Sequence, residues 1–204
     1  MIWLRTSVFR FSCSMPNAYL YYNLITGPIT MKSVFIGRFQ PIHKGHMHTI
    51  KQILDKGEDL IIVVGSAQYS HTPNNPFSGG ERVMLIKQAL IDEKMPMDRI
   101  DIIPISDINI HPLWIAHLKS FVPYFEKAYT HNALVQSLLK DDGIILDETH
   151  LLERSSYSAN HVRDLIRWGN KEWESLVPSG VVKLIKKYKL DERILKVGET
   201  KTKR

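Results

Sequence analysis

The 204-residue sequence predicts a single α/β domain with a doubly wound, Rossmann-like parallel sheet. Three observations predict it. Short apolar runs of strand length alternate with segments whose apolar residues recur every three or four positions, as on one face of a helix. Strands that alternate with helices pair in parallel through right-handed crossovers. Clusters of glycine and polar residues follow the first two apolar runs, where an open α/β sheet carries its ligand crevice.

The elements follow from the pattern in chain order. Strands are predicted at 33–36, 60–64, 100–105, 128–130 and 144–146. The run at 60–64 is apolar throughout, which is typical of a strand buried on both faces. The helices between the strands are indicated by four sets of apolar positions: Met47, Ile50, Ile53 and Leu54; Val83, Leu85, Ile86, Ala89 and Leu90; Trp114, Ile115, Leu118 and Val122; and Leu134, Val135, Leu138 and Leu139. Ser158 is the predicted N-cap of a later helix, with Val162, Leu165 and Ile166 facing inward.

Composition divides the chain into three parts. Residues 1–30 contain no Asp, Glu or Lys, and we expect an N-terminal extension outside the fold, with Met31 as the real start. A transit peptide is the alternative interpretation of this acid-free segment. Residues 31–190 are predicted to form the domain, and residues 191–204 a basic C-terminal tail.

The net charge of +6 comes from the C-terminal end. From Val181 to Arg204 there are nine Lys or Arg residues and three acids, so the rest of the chain sums to zero. We therefore expect no nucleic-acid partner, although RNA binding by Lys183, Lys186, Lys187 and Lys189 is the alternative. The sequence has no apolar stretch long enough to span a bilayer, and its single cysteine, Cys13, favours a reducing compartment. We expect a cytoplasmic protein without a membrane partner.

The most informative segment is G-R-F-Q-P-I-H-K-G-H at 37–46, between the first strand and the first helix. A helix start offers free N–H groups and a positive dipole end, so it receives phosphate readily. His43 and His46 lie on one face of the first turn, and Gly45 between them permits close approach to the backbone. A metal site is the alternative, but no Cys or carboxylate stands nearby as a third ligand. Histidines that only cap or pack the helix are the other alternative.

Three further clusters accompany this motif. The segments 65–72 and 75–82 follow the second strand, and Arg82 near a helix start is expected to form an ion pair or to position its neighbours. At 157–163, Ser158 begins a second helix that can seat phosphate, and Arg163 can bind two phosphate oxygens as a fork. Trp114 follows a loop that contains His111, so its ring is a candidate for stacking on a ligand as well as for the core.

Residues 31 to about 188 resemble the archaeal-type nicotinamide-nucleotide adenylyltransferases of the H-x-G-H nucleotidylyltransferase superfamily. The resemblance is carried by six blocks in order: 37–46; G-S-A-Q-Y-S-H at 65–71; N-P-F at 75–77 with G-E-R at 80–82; D-I at 107–108 with L-W-I at 113–115; L-V-Q at 134–136; and Y-S at 157–158 with V-R at 162–163. It implies a nucleotidylyltransferase domain that transfers AMP from ATP to nicotinamide mononucleotide, giving NAD and pyrophosphate. It also implies direct attack without a covalent enzyme intermediate, Mg²⁺ bound with ATP, and a homo-oligomer.

The resemblance also implies roles for individual residues. The catalytic residues would be His43, His46 and Arg38, which hold the ATP phosphates. The rest of the ATP site would be Gly37, Phe39, Gly45, Asn132, Ser158 and Arg163. The nicotinamide nucleotide would contact Gln68, Tyr69, Asp107, His111 and Trp114, with the Trp114 ring stacked on nicotinamide. Since no Cys or carboxylate stands near the two histidines, we expect no metal ligands from the protein itself.

The sequence departs from the family pattern at four places. The family's S-G-T reads Ser158-Ala159-Asn160, and its S-G-N reads Thr130-His131-Asn132. His111 stands where the family usually has Asn near the nicotinamide amide, and Asn74 where an Arg is frequent. These changes leave two alternatives open. The acceptor is nicotinic acid mononucleotide, whose carboxylate a protonated His111 would favour, or the protein is a sensor that binds ATP without turnover.

Overall fold

The computed structural model describes residues 31–149 and 157–199. Five parallel strands form one sheet in the order β3-β2-β1-β4-β5. They are β1 (Lys32–Gly37), β2 (Asp59–Val64), β3 (Ile100–Pro104), β4 (Lys127–Tyr129) and β5 (Ile145–Leu146). The strand order reverses direction between β1 and β4, so the carboxyl ends of these two strands flank the topological switch point. The doubly wound parallel sheet predicted from the sequence is confirmed.

Helices cover both faces of this sheet. They are α1 (Lys44–Asp55), α2 (Gly79–Asp92), α3 (Trp114–Phe121), α4 (Ala133–Asp141), α5 (Ala159–Arg167), α6 (Trp173–Leu176), α7 (Ser179–Lys187) and α8 (Leu190–Glu199), with short 3-10 turns at Met97–Arg99 and His111–Leu113. In the part of the chain that is described, no helix is both long and apolar enough to cross a membrane.

Alternation along the strands divides the core into two layers. Phe35 of β1 and Ile62 of β2 belong to the layer that contains α1, α2 and the helices from α5 onward. Val34 and Ile61, one residue away, belong to the layer under α3 and α4. Because side chains alternate between the faces of a strand, a run that is apolar throughout supplies both layers. The continuous apolar run at 60–64 is thereby explained.

The C-terminal helix corrects the predicted domain boundary. The sequence predicts a basic tail from residue 191 onward, but residues 191–199 form most of α8, in which Leu190 and Ile194 are fully buried. Arg193 lies between them and binds the carboxylate of Glu81 with two hydrogen bonds of 2.6 and 2.8 Å. The prediction of a tail was based on charge, and it missed an amphipathic helix. The buried positions of this helix, Leu190 and Ile194, are four residues apart. The predicted extension at 1–30 and the segment 200–204 lie outside the described residues.

Candidate active site

Two adjoining clefts open at the carboxyl ends of β1 and β4. The first, which we call the histidine cleft, has a volume of about 260 Å³, and the second, the tryptophan cleft, about 340 Å³. Residues of the first motif, together with His131 and the start of α5, line the histidine cleft: Arg38, Phe39, Gln40, His43, Gly45, His46, His131, Tyr157, Ser158, Ala159, Asn160 and Arg163. The tryptophan cleft is lined by Phe35, Ile36, Gly37, Arg38, His46, Gly65, Ser66, Asp107, Trp114, Thr130, His131, Asn132 and Val135.

His43 and His46 cap the start of α1 reciprocally. The backbone N–H of His46 donates to Nδ1 of His43, and the backbone N–H of His43 donates to Nδ1 of His46, each at 3.3 Å. The two rings stack with centroids 3.7 Å apart. A neutral imidazole whose Nδ1 accepts a hydrogen bond carries its proton on Nε2. The cap therefore leaves both Nε2–H groups as donors.

Burial keeps both rings uncharged in the ligand-free protein. Burial and, after it, the positive charge of His131 lower the pKa of His43 to about 3. The pKa of His46 also lies well below its usual value, first through burial and then through the charges of His43 and His131. The capping named as an alternative is thus present together with the geometry of a pair of donors.

Packing also requires a glycine at position 45, in addition to the close approach of an anion that the sequence predicts there. A Cβ at this position would lie 3.0 Å from Cβ of Tyr157 and 3.1 Å from the ring of His43. The segment that enters α5 therefore rests directly on the first turn of α1. Two helix starts are brought to one cleft by this contact, and each carries unpaired N–H groups.

The second helix start holds a buried arginine. Ser158 is the N-cap of α5, as predicted, and its hydroxyl accepts from the His161 N–H at 3.2 Å. Arg163 is 3% exposed, and its guanidinium donates to the carbonyls of Gln40 (2.7 Å) and Ala159 (3.1 Å) and to Oδ1 of Asn160 (2.6 Å). Its Nε is buried without a partner. Burial, reinforced by neighbouring Arg167 and Arg38, lowers the Arg163 pKa to about 10, so it stays charged at neutral pH.

Arg82 positions its neighbours, as predicted, by donating hydrogen bonds to their backbone carbonyls. It is completely buried, and its guanidinium donates to the carbonyl oxygens of Ser78, Arg38, Gly65 and Ser66 at 2.8–3.2 Å. Burial and the charge of Arg38 lower its pKa to about 10, so it too stays charged. One side chain thereby fixes the loops after β1 and β2, from which Arg38 reaches both clefts.

Gln40 belongs to the first motif, although the sequence alone indicates no role for it. Its side chain is buried and forms two hydrogen bonds with the backbone of Phe77, while its carbonyl accepts from Arg163. It therefore joins the first motif to the 75–82 segment and to α5. The sequence did offer one signal for this role. The amide side chain of Gln40 stands between two apolar residues, Phe39 and Pro41, and a polar side chain that is buried with them needs a hydrogen-bond partner.

The tryptophan cleft contains some of the predicted nicotinamide-side residues. Asp107 and Trp114 line it, whereas Gln68, Tyr69 and His111 do not. Gln68 and Tyr69 instead form hydrogen bonds with the loop that contains Asp107 and Asn109. The Gln68 side chain forms two hydrogen bonds with the Asp107 backbone, of 2.7 and 2.9 Å, and the Tyr69 hydroxyl accepts from Asn109 at 3.1 Å. His111 is exposed on its 3-10 turn.

Three residues predicted to bind ATP have structural roles that are now visible. Asn132 lines the tryptophan cleft, and its side-chain oxygen caps α4 by accepting from the N–H groups of Leu134 and Val135. The ring of Phe39 is buried and lies against Gly37, where a Cβ would meet it at 3.0 Å. Gly37 is therefore required by packing as well as by its place in the cleft.

His131, one of the departures from the family pattern and expected beside the adenosine, lines the histidine cleft, and so does Tyr157, to which the sequence alone gives no role. His131 also lines the tryptophan cleft. Among residues 31–149 and 157–199, no group of three or more His, Cys, Asp or Glu side chains is arranged to hold a metal ion.

Comparison with known proteins gives the family. Residues 34–165 match the cytidylyltransferase-like family. A nicotinamide-nucleotide adenylyltransferase from Ignicoccus hospitalis is 40% identical over 169 residues, which cover 83% of this chain and 99% of the relative. One from Archaeoglobus fulgidus is 42% identical over 159 residues, covering 76% and 91%.

A solved structure agrees on the fold. It is a bifunctional NMN adenylyltransferase/ADP ribose pyrophosphatase from Francisella tularensis, complexed with AMP and a Mn ion. The TM-score is 0.64 at 19% identity, and the match covers 84% of this chain but only 54% of the other, about half its length. Sequence and fold together lead to one assignment: this chain belongs to the cytidylyltransferase-like family and, within it, to the archaeal nicotinamide-nucleotide adenylyltransferases, which are nucleotidyltransferase enzymes.

Proposed function

We propose that this protein transfers AMP from ATP to nicotinamide mononucleotide, producing NAD and pyrophosphate. The names of its relatives give the class of reaction, and one observation in the structure carries the proposal. Two helix starts, a pair of imidazole donors and a buried arginine with an unpaired Nε converge on one cleft that adjoins a second, aromatic cleft. This arrangement suits a triphosphate beside a second nucleotide.

The histidine cleft binds the triphosphate of ATP in this proposal. The Nε2–H groups of His43 and His46 donate to phosphate oxygens, and Arg38 supplies positive charge from the mouth of the cleft. Buried donors without acceptors are rare, so the unpaired Nε of Arg163 supports a ligand oxygen at that place. Phosphate charge also acts to raise the histidine pKa values that burial lowers.

The tryptophan cleft binds nicotinamide mononucleotide. Trp114 is half-buried there and supplies a ring for stacking, and Asp107 supplies a carboxylate. An oxygen of the mononucleotide phosphate attacks the α-phosphorus of ATP in line, the bond to the bridging oxygen breaks, and pyrophosphate leaves with the electron pair. The protein contributes positioning and charge stabilisation, so no side-chain nucleophile is required.

Mg²⁺ enters the proposal as part of the ATP substrate. His, Cys, Asp and Glu side chains form no three-residue cluster suited to a metal within the described ranges. The ATP phosphates are therefore assigned as the ligands of the ion, which neutralises part of their charge. The roles of the protein side chains stated above do not depend on its position.

We propose the amide rather than the acid as acceptor. The acid alternative depended on His111, whose side chain is exposed and is not among the residues that line either cleft. The family resemblance further predicts a homo-oligomer, which light scattering on the purified protein measures.

The decisive experiment supplies ATP and Mg²⁺ with nicotinamide mononucleotide, or in a parallel reaction with nicotinic acid mononucleotide, and quantifies dinucleotide and pyrophosphate. We expect equal amounts of NAD and pyrophosphate from the first acceptor. His46→Ala should reduce the rate by at least about 100-fold. His48→Ala, on the same helix but outside both clefts, is the matched control and should remain active. Product from the acid alone would reassign the acceptor, and ATP binding without product would establish a sensor.

A further inference from the structure

Three side chains line both clefts: Arg38, His46 and His131. If the triphosphate lies in one cleft and the mononucleotide in the other, the α-phosphorus lies where the clefts meet. Arg38 and His46 belong to the first motif and already have roles there. His131 comes from the other side of the topological switch point, directly after Tyr129 and Thr130.

We propose that His131 is a further catalytic residue, which contacts the α-phosphoryl group and donates a hydrogen bond to its oxygens in the transition state. This inference rests on the function proposed above. As the new P–O bond forms and the bond to the bridging oxygen breaks, negative charge is redistributed over the phosphoryl and leaving oxygens. A donor aimed at that charge accelerates the step. No proton is transferred, so the reaction remains balanced without a further reactant.

The loop that carries His131 is fixed on both sides. Tyr129 is buried, and its hydroxyl is hydrogen-bonded to the carboxylates of Glu58 (3.1 Å) and Asp147 (3.0 Å). On the other side, Gln136 donates to the Thr130 carbonyl at 2.8 Å, and the Thr130 hydroxyl accepts from the Asn132 N–H at 3.3 Å. A donor held on a fixed backbone is preorganised for the transition state.

His131 lines the histidine cleft together with His43 and His46 of the first motif. Its ring meets the ring of Phe35 edge-on, with centroids 6.2 Å apart, and Phe35 in turn contacts the ring of His46. The charge of His131 also lowers the pKa values of His43 and His46, although burial lowers them more. His43, His46 and His131 thus lie together in the lining of the histidine cleft.

The test compares His131→Asn and His131→Gly with wild type, measuring kcat and KM for both substrates and the ATP Kd separately. We expect kcat to fall about 10- to 100-fold, since one donor to a reacting oxygen is removed. The ATP Kd should change less than about threefold, because Arg38, His43, His46 and Arg163 remain. Added imidazole should restore part of the rate of the His131→Gly variant and none of the rate of His131→Asn. His48→Asn is the control, and melting temperatures show whether each variant is folded.

The outcomes separate the two proposals. An active wild type with unchanged kcat in both His131 variants, or a loss confined to ATP Kd, overturns the role of His131 alone. A loss of kcat without imidazole rescue, together with a lowered melting temperature, assigns His131 a structural role and also overturns this inference. A wild type that makes no dinucleotide with either acceptor overturns the proposed function, and this inference fails with it.

Discussion

The side chain of Gln40 is paired with both backbone polar atoms of Phe77. Its Nε2 donates to the Phe77 carbonyl at 2.8 Å, and its Oε1 accepts from the Phe77 N–H at 3.0 Å. Both residues are buried, so the amide replaces the water that would otherwise satisfy that piece of backbone. The loop after β1 and the segment before α2 are joined by this contact.

Gln40→Ala should therefore destabilise the protein strongly. The substitution leaves the N–H and the carbonyl of Phe77 buried without partners, which costs about 2–4 kcal/mol of unfolding free energy. Urea denaturation measures this loss. Gln88→Ala removes only an exposed hydrogen bond to Asp92 and should change the free energy by less than about 0.5 kcal/mol. Equal effects of the two substitutions would contradict the role assigned to Gln40.

The buried histidines predict how stability depends on pH. Burial lowers the pKa of folded His43 from 6.5 to about 3, so between these values the unfolded chain binds a proton that the folded chain does not. The ligand-free protein should be fully stable above pH 6.5 and lose stability as the pH falls toward 3. Each such histidine changes the free energy of unfolding by up to about 1.4 kcal/mol per pH unit within this range.

His43→Asn provides the test of that dependence. Asn is a good N-cap and does not titrate. The helix start therefore keeps a hydrogen-bond acceptor, but the unfolded chain no longer binds a proton at residue 43. Urea unfolding between about pH 4 and 7 should show a shallower slope in this variant than in wild type. A His43→Asn slope equal to that of wild type would mean that His43 is protonated in the folded protein.

Gly45 and Gly80 give a matched pair of glycines. In Gly45→Ala the new Cβ would lie 3.0 Å from Cβ of Tyr157, and so the start of α5 must move away from α1. We expect a rise in the ATP Kd of about 10-fold or more, a loss of about 1.4 kcal/mol in binding. A Cβ added to Gly80, in the first turn of α2, would meet nothing within 4 Å. Gly80→Ala should leave ATP binding intact and raise stability by about 0.5–1 kcal/mol. Isothermal titration and thermal melts distinguish these outcomes.

Arg193 should matter more than its place near the C-terminal end suggests. Burial acts to raise the pKa of Glu81, but hydrogen bonds from Arg193 and Ser78 outweigh it, so the pKa is lowered. Arg193→Leu removes two charge-assisted hydrogen bonds and should cost about 1–3 kcal/mol of unfolding free energy. Lys186→Leu, whose ion pair with Glu174 is more exposed, is the control and should cost less than about 1 kcal/mol.

Deletion experiments separate α8 from the basic residues beyond it. A chain ending at Lys189 loses the buried Ile194 and the Arg193 pair, and we expect it not to fold stably. A chain ending at Glu199 keeps both and should have wild-type stability and activity. Circular dichroism and the dinucleotide assay measure the two properties. If the shorter chain were as stable as the full-length protein, α8 would contribute nothing to the fold.

The sequence predicted those parts of the structure that depend on local pattern. The five strands and the helices α1 to α5 followed from the spacing of apolar residues, and the histidine cleft from the motif at 37–46, because these signals report burial and backbone geometry over a few positions. The helices α6 and α7 were not predicted. The hydrogen bonds of Gln40 and the four carbonyl partners of Arg82 were not predictable in the same way. They join residues far apart in sequence, and nothing in a local pattern states which loop a polar side chain will meet. The helix α8 was missed for a different reason, since its many charges outweighed two apolar positions.

The bond between Arg193 and Glu81 spans 112 residues. During translation the first motif and the start of α2 leave the ribosome early, but the residue that secures the 76–81 segment is synthesised long afterwards. Because folding begins on the growing chain, the nascent domain passes through a stage in which its first half is present and one of its anchors is not. The contact that joins the 76–81 segment to Arg193 can therefore form only once α8 has emerged.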